Sequence, residues 1–207
     1  MKLIFIPAIL LSGITMAYSQ IRLDINAMSS YLNESLPEKS AVSFTQVHAG
    51  VGADLSQLIE ITHFVNVGYK FGYAFYGKLN IEDTDDVGTQ FDDKLTTQAV
   101  HLMAIVHYRL YKNIRLEFGG GVAYEWNSFT LDKPIIIAGQ KLNFPTTAGT
   151  YSSFRPIAEV GFYYRFKKGL SAGLSYRHIF GDQVGGAGFT GDSVGVNSLA
   201  ATLRYRF

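Results

Sequence analysis

The feature that most constrains this chain is an alternation of apolar and polar side chains that recurs along almost its whole length. Only an extended strand changes faces at every residue, so the repeat restricts the chain to β structure wherever it holds. In LAATLRYRF at the end, Leu199, Ala201, Leu203, Tyr205 and Phe207 fall on one side, and Ala200, Thr202, Arg204 and Arg206 on the other. Leu170 to Tyr176, Ala158 to Phe166, Leu116 to Trp126 and Val100 to Leu110 repeat the pattern, as do Ile21 to Ala27 and Val47 to Ala53. From Ile61 to Ile81 the alternation runs unbroken through every odd position. At about 3.3 Å per residue that segment exceeds a bilayer, so it is either one strand projecting from the membrane or two strands with a turn near VGYKFGY. Read as one, it brings the total to eight.

The connections sort by length. From Gln20 onward they alternate long and short: 31–41, 55–59, 83–95, 111–113, 131–152, 167–169 and 181–195. A soluble sandwich has no reason to place its long loops on one side. An even number of strands, with both ends on the short-turn side, predicts an all-β, transmembrane, antiparallel up-and-down barrel of eight strands. Closure pairs the last strand with the first, because strand edges cannot be left open in hydrocarbon.

Composition agrees with this reading. The chain has 207 residues, suited to one domain, with 21 Gly, 13 Tyr and 15 Phe. The absence of Cys rules out disulfides, thiolate metal sites and thiol catalysis. With Lys2 the only charge before Gln20, the remainder balances at 17 basic and 17 acidic residues, which gives no general pull toward nucleic acid. MKLIFIPAILLSGITMAYSQ carries one Lys, a short apolar run from Leu3 to Leu11, and Ala17 and Ser19 at the −3 and −1 positions of a cut before Gln20. It predicts a cleaved signal peptide over 1–19 and a barrel domain over 20–207.

The terminal strand, the glycine-rich FGGGVAYEW and GLSYRHIFGD carry a resemblance to a known family. Residues 20–207 resemble the small outer-membrane barrels that include the transmembrane domain of OmpA, OmpW and the opacity-type surface proteins. The resemblance implies a Gram-negative outer-membrane location, contact with lipid and lipopolysaccharide, and delivery by the barrel-insertion machinery. Leu203, Tyr205 and Phe207 would be the terminal assembly signal. It further implies either loops that serve structural or adhesive contact with an extracellular partner, or a small-solute channel of the OmpW kind.

Alternation sends Arg22, Asp24, Lys70, Lys78, Arg109, Arg115, Glu117, Glu125, Glu159, Arg165, Arg177, Arg204 and Arg206 inward. Both signs of charge in a narrow, low-dielectric lumen predict pairing, as a plug or as the lining of a solute path. Tyr69, Tyr73, Tyr108, Tyr124, Trp126, Phe162 and Tyr164 face lipid and suit interfacial girdles. His63 and His178 are expected at the interface or outside the membrane. In EDTDDVGTQFDD an EF-hand spacing fails at Val87 and Lys94, and GGAGFTG precedes no helix, so neither a cation nor a phosphate site is predicted there. No cofactor is expected. Ile135, Ile136, Ile137, Leu142 and Phe144 place apolar surface in the longest connection, as a hairpin turning at AGQK or a partner-contact patch. Some small barrels of the lipid A deacylase type carry a Ser-His-acid constellation near a rim, but here RHIFGD places Phe180 two residues after His178, where that family looks to have a serine. A His without a nucleophile predicts a barrel that is not an enzyme.

Overall fold

The protein was characterised as a computed structural model that describes residues 19–33, 47–84, 90–131, 135–137, 140–142, 148–167, 169–181 and 195–207. The expected signal peptide, most of the loop from 182 onward and Phe144 lie outside these residues. Among the described residues there are ten strands: β1 Ser19–Asn33, β2 Val47–Glu60, β3 Val65–Thr84, β4 Gln90–Arg109, β5 Ile114–Leu131, β6 Ile135–Ile137, β7 Gln140–Leu142, β8 Ala148–Lys167, β9 Leu170–Ile179 and β10 Gly195–Arg206. Eight of them close into an antiparallel barrel in the order β1-β10-β9-β8-β5-β4-β3-β2, and β6 and β7 form a separate two-stranded hairpin. Among the described residues there is no helix.

Closure joins the two ends of the wall. β10 pairs with β1 from Arg206 opposite Arg22 to Gly195 opposite Asn33, and the Phe207 amide donates to the Ile21 carbonyl at 3.0 Å. One proline enters the wall, at a place that tolerates it. Pro156 accepts from the Phe180 amide on its β9 side, where β9 has already ended opposite Ile157. Its missing N–H points to the same side, so the lost bond falls at the end of the β8–β9 ladder and not within it.

The wall is uneven in height. β3, β4 and β8 have 20 residues and β5 has 18, and these four stand side by side. β1, β2, β9 and β10 have 15, 14, 10 and 12 and form the other half. At about 3.3 Å per residue and a tilt of about 40°, the taller half stands well above a bilayer core.

Two boundaries differ from the sequence reading. The turn after β2 is at 61–64, closed by the Ile61 and Thr62 amides donating to the Val65 carbonyl at 3.0 Å, so Ile61 and His63 belong to a turn and not to the long strand. β3 is also not regular to its end. Phe75 opposes Gln98 and Gly77 opposes Thr97, which leaves Tyr76 as the extra residue of a bulge, and Tyr76 and Gly77 are both buried. Gly77 has φ of 108°, and a Cβ there would lie 2.7 Å from His48 Cβ, so glycine is required. The bulge reverses the parity. Lys78, expected inside, is exposed on the outer face. The acidic segment likewise is less a loop than the top of two strands, with Glu82 opposite Asp92 and Ile81 opposite Asp93.

Outside, the wall is apolar. Leu102, Val106, Phe118, Val122, Val160, Leu174, Leu199 and Leu203 are exposed large hydrophobic residues. In water this surface would be a large uncovered apolar patch; in hydrocarbon it is a matched one. Leu203, 51% exposed, tests the assignment. Leu203→Arg is expected to lower the stability of the barrel in lipid vesicles by about 2–4 kcal/mol, the cost of a cation near the bilayer midplane. An unchanged urea midpoint would mean that this face does not meet lipid.

Candidate functional site

The interior has little room, and long polar side chains fill it. Inward glycines make this possible, since they remove bulk where the charged groups cross the lumen. A Cβ on Gly72 would lie 1.9 Å from Asp54 Oδ1 and 2.7 Å from His101 Nε2. The Tyr163 ring occupies the space over Gly161 and Gly173, and the Arg204 guanidinium stacks on that ring 3.6 Å from its centroid.

Glu117 is the hub. Its carboxylate accepts from Lys70 Nζ at 2.6 Å, from Arg22 Nη2 at 2.8 Å and from Arg204 Nη1 and Nη2 at 3.0 and 2.9 Å. Arg204 also forks onto Asp24, with Nε donating to Oδ1 at 2.8 Å and Nη2 to Oδ2 at 2.7 Å. Lys70 bridges onward to Glu159 at 2.5 Å, and Arg177 joins Glu159 at 2.5 Å to Asp54 at 2.9 Å. Asn26 donates to the same Asp54 oxygen at 2.9 Å and accepts from Thr202 at 2.8 Å. His101 Nε2 lies 2.9 Å from the other Asp54 oxygen, and Arg22 Nη1 donates to His107 Nδ1 at 2.6 Å.

The charges of this network cancel. Arg22, Lys70, Arg177 and Arg204 face Asp24, Asp54, Glu117 and Glu159, four cations against four carboxylates, none more than 5% exposed. Each buried ion has a hydrogen-bonded counterpart, which is the condition for several such groups to be tolerated in a low-dielectric space. Because the links run from wall to wall, the network is a transverse plug across this level of the lumen. A separate pair, Arg155 with Glu125 at 3.7 Å, lies nearer the long-loop side.

Not all inward charges take part. Arg109 is exposed, Arg165 and Arg206 are half-buried, and Arg115 is bonded to the Tyr111 and Ile114 carbonyls at 3.0 and 3.3 Å. None of the four has a carboxylate partner among the described residues. They stand at the short-turn rim, below the plug. Conversely, Asp54, His101, His107 and Arg155 were not singled out from the sequence. Asp54 adjoins a segment read as a turn, yet β2 continues through it with even residues inward, a phase that its own alternation already displayed.

The outer aromatic residues form hydrogen-bonded belts. Tyr73 donates to Gln98 at 2.6 Å and Tyr124 to Ser152 at 2.8 Å, while Trp126 lies 6.2 Å from the Tyr73 ring and 6.0 Å from that of Tyr124. Toward the turns, Tyr164 meets Phe166 edge-on at 5.2 Å and Tyr205 meets Phe207 at 5.0 Å. These amphipathic rings mark two interfaces with the aliphatic band between them. His63 sits in the exposed 61–64 turn, 3.4 Å from Glu60, and His178 is bonded to Asn197 at 2.8 Å and packed edge-on against Phe180 at 4.4 Å. In the longest connection, Ile135, Ile136 and Ile137 pair with Leu142, Lys141 and Gln140. Among the described residues no group of three or more His, Cys, Asp or Glu is placed to hold a metal ion.

In fold, the chain is similar to the attachment invasion locus protein Ail of Yersinia pestis, solved in complex with the heparin analogue sucrose octasulfate. That likeness has a TM-score of 0.55 and 14% identity, and covers 92% of this chain and 99% of Ail. It is also similar to a major outer membrane protein of Thermus thermophilus, with a TM-score of 0.53 and 15% identity, over 91% of this chain and 99% of that one. No family model and no curated protein sequence matches the chain. At these identities the likeness is one of fold.

Proposed function

We propose that the protein is an integral barrel of the bacterial outer membrane, delivered there after signal-peptide cleavage, which performs no chemistry and acts through its long-loop rim. What supports this reading is the buried network of four cations and four carboxylates, whose links cross the lumen; it argues against an open solute route at that level and moves function outward. Two strands of the tall half, β5 and β8, flank the β6–β7 hairpin in the chain, and the apolar residues of that longest connection suit contact with an extracellular partner. Ail, which shares the fold, is described as an attachment protein and holds a heparin analogue, a precedent for contact by this architecture. His178 supports the non-enzymatic reading, because its ring is committed to Asn197 and Phe180. Phe207 suits a terminal assembly signal, since its amide closes the wall onto β1 and its ring lies in the turn-side belt.

The test is single-channel conductance of the refolded barrel in a planar bilayer, together with adherence of cells bearing the barrel with 132–147 replaced by a short Gly-Ser link. A silent barrel and a loss of adherence at unchanged surface amount are the expected results. Reproducible conductance steps would overturn the plug and favour a small-solute channel.

A further inference from the structure

The charge balance of the plug makes its absence at the short-turn rim conspicuous. Arg109, Arg115, Arg165 and Arg206 line a recess of about 50 Å³ at that mouth, and none of the described residues lining it is Asp or Glu. The register places two like pairs directly opposite each other, Arg109 with Arg115 and Arg22 with Arg206. Such cross-strand pairs are destabilising unless something neutralises them. The floor offers no relief. Arg22 and Arg204 form it, and the carboxylates beneath, Asp24 and Glu117, are already bonded to those two and to Lys70.

We propose that this mouth is a binding site for a single phosphate group. Among the described residues the side chains of Arg109 and Arg165 make no hydrogen bond or ion pair, so their donors are free to turn inward. Arg115 is held in place by its two carbonyl bonds, and Arg206 by Gln20 Oε1 at 3.3 Å. Asn66 and Ser171 add neutral polar groups to the wall. A water needs about 10–15 Å³ of such space, so the recess admits a group of a few heavy atoms and not a whole nucleotide. Guanidinium forks match the paired oxygens of a tetrahedral oxyanion, and several of them around one point favour a phosphate over a singly charged carboxylate. The same group could come from free phosphate or from the headgroup of an anionic lipid in the adjacent leaflet, because the recess opens at the rim.

The test uses the folded barrel in a non-ionic detergent at low ionic strength, titrated calorimetrically with inorganic phosphate in one arm and with short-chain phosphatidylglycerol in the other. Saturable binding is expected in at least one arm, and that arm names the source. Arg109→Gln with Arg165→Gln should weaken it at least tenfold, whereas Lys112→Gln, an exposed cation of the neighbouring turn outside the recess, should leave it unchanged. Should the double Gln variant fail to fold, Arg109→Lys with Arg165→Lys keeps the charge, loses the forks and should still bind several-fold more weakly. Lack of saturable binding in both arms, undiminished binding by whichever double variant folds, or an equal loss with Lys112→Gln would overturn the proposal.

Discussion

Glu117→Gln is expected to lower the stability of the barrel by about 3–5 kcal/mol, the range for removing one partner of a buried ionic cluster. The change is nearly isosteric, so no cavity contributes. What remains is a neutral amide facing Lys70, Arg22 and Arg204, all buried and all previously bonded to the lost carboxylate. The cluster shifts from balanced to an excess of one positive charge with no water to screen it. Urea unfolding in lipid vesicles, followed by the mobility shift of folded barrels on gels, would measure the effect. Glu60→Gln gives the comparison: Glu60 is exposed and its one ion pair among the described residues is with the exposed His63 at 3.4 Å, so its loss should change stability by less than about 0.5 kcal/mol. Equal midpoints for the two variants would show that the lumen cluster does not hold the barrel together.

The second large effect concerns two adjacent glycines. Gly121→Ala should destabilise by about 3 kcal/mol, at the upper end of overpacking costs, because the new Cβ would stand 2.0 Å from the Leu102 carbonyl oxygen and 2.7 Å from Met103 Cα. Both obstacles are backbone of β4, so relief requires the strands to part. Gly120 faces the other way, and a Cβ there would meet only the Ile157 carbonyl oxygen at 4.0 Å. Gly120→Ala is therefore expected to stay within about 0.5 kcal/mol of the parent. Hydrogen exchange along Leu102 to Ile105 would locate the damage at the β4–β5 pairing. Indistinguishable behaviour of the two variants would contradict the inward placement of odd residues in β5.

The strands and the sorting of their connections were legible in the sequence for one reason. Period two is a local property, and a half-polar, half-apolar strand displays it without knowledge of its neighbours. The bulge at Tyr76 was hidden because Ala74, Phe75, Tyr76 and Gly77 are all compatible with either face, and its consequence, Lys78 turned outward, shows only once the register is known. The turn at 61–64 was hidden in the same way by Ile61 and Val65. Pairing within the lumen was not legible at all. Arg204 and Asp24 meet across a separation of 180 residues, and Arg177 and Asp54 across 123, distances that only the closed register resolves. Nor does alternation report depth along the barrel axis. It sends Arg109 and Arg165 inward as surely as Arg177, although the first two end at an open mouth and the third is sealed within.

Six of the eight pairings in the wall join strands that follow one another along the chain, a seventh joins β5 to β8 across the β6–β7 hairpin, and one, β1 with β10, joins its two extremes. The hairpins can each form early, over links that are short or of moderate length, but the seam carries the largest loop-closure entropy and must come last. Its side-chain ties are correspondingly dense, with the Arg204 fork on Asp24 and the Thr202 bond to Asn26 both crossing it. Until β10 arrives, two bare edges face a solvent that offers them no hydrogen bonds. Assembly in this architecture is thus governed by order in time: seven local events prepare a cylinder that the eighth alone makes permissible, and an incomplete chain has no intermediate resting place in the membrane.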